Sequence, residues 1–78
     1  MENSLIIVLV TVGSKEEAKK ISQRLLEQKL IACANIVGPV TSHFRWQEKV
    51  DCAEEFLIFL KSRMDLFIIT VRRLAEEF

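Results

Sequence analysis

The chain has 78 residues, half of them apolar and 28% charged, which places it among globular rather than disordered sequences. Its 11 basic residues offset 11 acidic ones, so no net field draws the whole molecule to nucleic acid or anionic lipid. At this length there is room for one domain over 1–78, with a core small enough to leave an isolated monomer marginally stable.

The longest apolar run, residues 5–10, is far short of the roughly 20 residues that a membrane span needs. Glu2 and the lack of a small-residue cleavage site argue against a signal peptide. Cys33 and Cys52 lie 19 positions apart, without the tight spacing of a zinc knuckle, and suggest a reducing compartment, hence a cytoplasmic protein.

Taken in order, Leu5, Ile6, Ile7, Val8, Leu9 and Val10 form a β-branch-rich run without alternation, predicting a strand in the middle of a sheet, covered on both faces. Gly13 punctuates, and Ser14 with Glu17 three positions on reads as a capping box that starts a helix at Lys15. Ala18, Ile21, Leu25 and then Gln28 or Lys29 recur at steps of three and four, an inward stripe widened by Leu26 and Leu30. Residues 30–37 predict a second strand that bends at Gly38 and Pro39. Beyond the bend, Val40, Ser42, Phe44 and Trp46 alternate with Thr41, His43 and Arg45. A polar turn over 47–51 leads to a third strand over 56–60, antiparallel to the second. Ser62 and Asp65 have capping spacing, and Phe67, Val71, Leu74 and Phe78 mark the inward face of a second helix.

The order strand, helix, strand, strand, helix is an α+β, ferredoxin-like split β-α-β fold, present as β-α-β-β-α with the fourth strand missing. In that arrangement the third strand inserts between the first and second. The first strand's other edge is then free to recruit another chain.

Residues 30–36, reading Leu-Ile-Ala-Cys-Ala-Asn-Ile, are followed by Ser42, Phe44, Trp46, Glu55 and Lys61-Ser62. This order and spacing resembles the CutA divalent-cation tolerance family, with 32–36 as its most diagnostic stretch and Thr11 also in place. The resemblance covers essentially the whole chain. It implies a ferredoxin-like subunit, a compact homotrimer built by sheet-to-sheet contacts, and a role in divalent metal tolerance, copper in particular. It brings no firm cofactor and no established enzyme activity. Family members continue after the second helix with a histidine-proline-tyrosine segment and a further strand, whereas this sequence ends at Phe78. Phe44 stands where the family usually carries tyrosine, which removes a phenolic hydrogen bond.

Candidate residues follow from donor chemistry. Cys33 offers a soft thiolate for copper, at a place where the family signature also has cysteine, or packs as a small hydrophobe. His43 offers an imidazole and Glu55 a carboxylate, making Cys33, His43 and Glu55 the metal candidates, with copper or another divalent cation as the ion. Ten positions of strand, roughly 33 Å, separate Cys33 from His43, whereas Cys52 approaches His43 across the hairpin as a two-ligand pair. Thr11, Trp46 and Lys61 are the candidates for a ligand cleft, and Phe44 and Trp46 for a subunit interface. No serine, histidine and acid set supports catalysis, the adjacent glutamates point different ways, and Arg72-Arg73 is too small a patch for nucleic acid. The reading is a non-enzymatic, trimeric metal-tolerance protein. The alternatives are a small-molecule-binding regulatory module of the same fold or an assembly scaffold.

Overall fold

The computed structural model describes residues 4–78. The elements are β1 (Leu5–Val12), α1 (Lys15–Glu27), β2 (Cys33–Trp46), β3 (Lys49–Arg63), a 3-10 turn (Met64–Leu66) and α2 (Phe67–Glu77). They form the expected ferredoxin-like β-α-β-β-α, with a three-stranded sheet among the described residues in the order β1-β3-β2.

Both pairings are antiparallel, so β1 and β2 run parallel, joined by the α1 crossover, and β3 fills the gap between them. This corrects the placement of the first strand. Among the described strands β1 pairs with β3 alone and lies at an edge, while β3 is central. β1 is also not covered on both faces, because its burial alternates along its length.

One face of the sheet packs on the helices. Val12, Ala18, Ile21, Leu25, Leu30, Ile31, Ile58 and Leu60 form the core, with Ile58 and Leu60 fully buried on β3. Ser14 Oγ accepts from the Glu17 amide at 3.1 Å, so the cap starts α1 as its spacing predicts. Leu26 lies outside the stripe and is exposed, its expected place taken by the buried hydroxyl-bearing Ser22. At the helix end Lys29 takes a φ of 61°, and the Leu30 amide donates to the Leu25 carbonyl while the Lys29 amide donates to that of Leu26. This Schellman closure turns the chain so that Leu30 and Ile31 enter the core before β2 begins at Cys33.

The bend at Gly38-Pro39 is a bulge within one long strand, since Val37 pairs with Leu57 but Val40 with Glu55. A Cβ on Gly38 would stand 2.6 Å from the Phe56 ring, which explains glycine there. The predicted turn over 47–51 shrinks to Gln47 and Glu48, with φ of 51° and 65°, because Trp46 pairs with Lys49 and the ladder continues through Asp51 and Cys52. Polarity in that stretch marks solvent exposure of an arm, not the end of pairing.

α2 keeps Leu74 of its expected stripe but departs from it at Phe67, Val71 and Phe78. Thr70 is fully buried, Leu66 and Leu74 pack against the core, and Phe67, Val71 and Phe78 are exposed. Ser62 does not cap this helix. Its hydroxyl donates to the Leu30 carbonyl at 2.7 Å, and the Thr70 hydroxyl donates to the same oxygen at 3.4 Å. A buried carbonyl in the turn between α1 and β2 thus helps set which side of α2 faces inward, a constraint between residues 40 positions apart.

Candidate functional site

The face of the sheet away from the helices is apolar and uncovered within one chain. Leu5, Ile7 and Leu9 on β1 are 86%, 57% and 60% exposed, beside Leu57 and Phe59 on β3 and the exposed Val37 on β2. Side chains alternate between faces along a strand, and the extra residue at the β2 bulge shifts that alternation by one. Phe44 and Trp46 therefore join Leu57 and Phe59 on the open face, whereas His43 and Arg45 share the other face with Cys52 and Val50. The hairpin carries both sets well beyond the helices, along a molecule 46 Å in its longest dimension.

The ladder places each candidate donor. Cys33 is half-buried, opposite Lys61, with its thiol donating weakly to Asn35 Oδ1 at 3.7 Å. His43 is opposite Cys52, and Glu55 is opposite Val40. Nine steps of β3 separate Cys52 from Lys61, about 30 Å, so one chain does not bring Cys33, His43 and Glu55 around one ion. Among the described residues no group of three or more His, Cys, Asp or Glu stands ready to hold a metal ion.

The expected cleft is likewise divided. Thr11 lines a cavity with Gly13, Glu17 and Glu55 beside the free edge of β1, and Lys61 lines another with Leu5, Ile7 and Cys33. Trp46 stands at the hairpin tip opposite Lys49, away from both. Thr11, Trp46 and Lys61 are not walls of one site within a chain.

Sequence reasoning missed the cluster that fastens α2 to α1. Arg24 donates to Glu77 Oε1 through Nε at 3.2 Å and Nη2 at 2.7 Å, Gln28 Nε2 donates to Glu77 Oε2 at 3.0 Å, and Arg73 pairs with the same carboxylate at 3.5 Å. The hydrogen bond from Gln28, then that from Arg24, holds the Glu77 carboxyl below the usual carboxylate range. Separations of 49 and 53 residues leave no local signal for it.

A split β-α-β sheet with one apolar face and a long hairpin arm defines a ferredoxin-like domain. The family model described as CutA1 divalent ion tolerance protein matches residues 6–77, and the chain belongs to that family. It is 45% identical over 60 residues to the divalent-cation tolerance protein CutA of Archaeoglobus fulgidus, covering 77% of this chain and 58% of that one. To the CutA of Thermus thermophilus it is 43% identical over 61 residues, covering 78% and 59%. The chain thus spans less than two thirds of the length of these relatives. The solved structure of the Thermus thermophilus protein superimposes with a TM-score of 0.87 at 38% identity, over 91% of this chain and 69% of that one.

The cytoplasmic expectation is overturned. The Archaeoglobus fulgidus structure is described as that of a periplasmic protein, and the Arabidopsis thaliana and rice relatives as chloroplastic. The cysteines were a poor guide because Cys33 and Cys52 lie at opposite ends of the hairpin, where geometry alone forbids a bridge within the chain.

Proposed function

We propose that this chain acts as a non-enzymatic divalent-cation tolerance protein, with copper as the principal ion, in the form of a homotrimer. The uncovered apolar face supports this reading above all. A contiguous patch of Leu5, Ile7, Leu9, Leu57, Phe59 and Val37 is larger than the scattered apolar residues of a monomer surface. Covering such side chains stabilises an assembly by about 1.5–3 kcal/mol for each one fully buried. Phe44 and Trp46 extend the same face along the arm, where rigid aromatic area suits subunit contact. The threefold number is what the family resemblance implies, and such contacts would give the exposed side of β1 its second cover.

Light scattering over a range of concentrations tests this. The expected mass is about three times the 9.0 kDa of one chain, and Leu9→Lys, which places a charge on the open face, is expected to yield single chains. A folded wild type that stays at 9.0 kDa at every concentration would refute the trimer.

A further inference from the structure

We propose that the His43–Cys52 pair on the hairpin arm is a copper site that takes the ion in its reduced form, as a thiolate–Cu(I)–imidazole complex. The two residues are register partners in the β2–β3 ladder, and both are exposed. Side chains directly opposed in such a ladder start from Cβ atoms about 4.5–5.5 Å apart. With metal–sulfur and metal–nitrogen bonds of about 2.3 and 2.0 Å, an ion held in line between them needs sulfur and nitrogen about 4.3 Å apart, a span close to the separation from which the two side chains start.

The number of donors selects the ion. No third His, Cys, Asp or Glu completes a ready cluster among the described residues, whereas zinc sites use four ligands. Cu(I) has a filled d shell, accepts two ligands in line, and prefers soft thiolate and imidazole. Charge agrees with this choice. On binding, the Cys52 thiol gives its proton to solvent and the imidazole binds neutral, so the complex with Cu(I) carries no net charge. Its neighbours on the same face are Arg45 and Glu54, of opposite sign. Cu(II) in the same place would leave a positive charge beside Arg45. Cys33 lacks these features, since its cross-strand partner is the cation Lys61. The bulge also keeps the pair on the face opposite Phe44 and Trp46, so burial of the open face in an assembly leaves it accessible.

This inference rests on the cation-tolerance reading and adds the site and oxidation state of the ion. Its test is an anaerobic titration of the full chain with Cu(I), followed by competition with a Cu(I) chelator and by X-ray absorption, with Zn(II) in a parallel arm. The wild type and Cys33→Ser are expected to bind one Cu(I) per chain with one sulfur and one nitrogen neighbour. Cys52→Ser is expected to abolish binding, and His43→Ala to weaken it by roughly tenfold or more. Circular dichroism checks that the variants keep the fold. Unchanged Cu(I) affinity in Cys52→Ser or His43→Ala, loss of binding in Cys33→Ser, or no Cu(I) bound by the wild type would each overturn the site. Zn(II) bound in those cases would leave the broader tolerance reading standing.

Discussion

The two faces of the sheet are made by the same strands from similar side chains, yet Ile58 and Leu60 on one are wholly buried while Leu5, Ile7 and Leu9 on the other are mostly exposed. Both sets belong to apolar runs, and the difference lies only in what the chain folds against each. α1 and α2 cover the first, through a stripe of Ala18, Ile21 and Leu25 and through Leu66, Thr70 and Leu74. An apolar strand therefore states that a cover is needed without saying whether it comes from the same molecule.

Truncation on the covered face is the strongest way to probe that contrast. Leu60→Ala is expected to lower stability by about 2–5 kcal/mol in urea unfolding, the cost of a large-to-small change in a packed core. Its effect on unfolding should exceed that of Leu9→Ala in dilute protein, where Leu9 is largely in water. Next in size is Gly38→Ala at the junction of body and arm. The new methyl must displace the Phe56 ring, and a loss of about 1–3 kcal/mol is expected from thermal unfolding.

Much of the body was legible because its signals are local. Ser14 and Glu17 announce the helix start, Ala18, Ile21 and Leu25 its inner face, and Gly38-Pro39 the bulge. The position of β3 followed from the short hairpin and the long crossover. Of the inward side of α2 only Leu74 followed, because α2 is apolar on several sides and Thr70 turns inward to reach the Leu30 carbonyl. The candidate site was legible residue by residue but not as a constellation. Cys33, His43 and Glu55 carry suitable chemistry, and only the register shows that β3 holds them far apart while setting His43 against Cys52.

Two smaller effects sharpen the account of the covered side. Ser14→Ala removes the acceptor for the Glu17 amide and is expected to cost about 1 kcal/mol, read by chemical denaturation. Glu77 has a depressed carboxyl pKa, so its bonds to Gln28 and Arg24 contribute stability above the ordinary carboxylate pKa and lose it as pH falls through the lower folded value. Glu77→Gln is expected to flatten that acid-side loss in a pH series of melting temperatures. Because Glu77 is half-buried at the surface and its partner Arg24 is exposed, solvent screens the pair and the change should be the smallest of the four.

The single surplus residue between Val37 and Val40 works as a phase shift along the hairpin. Deleting it would flip the distal half of β2 against β3, sending the aromatic rings of Phe44 and Trp46 to the helix side and His43 to the other. Cys52, on the unbroken strand β3, would keep its face and lose its partner across the ladder. One backbone unit thus keeps the apolar stripe continuous and sets His43 against Cys52, so insertions or deletions there should disturb both arrangements together.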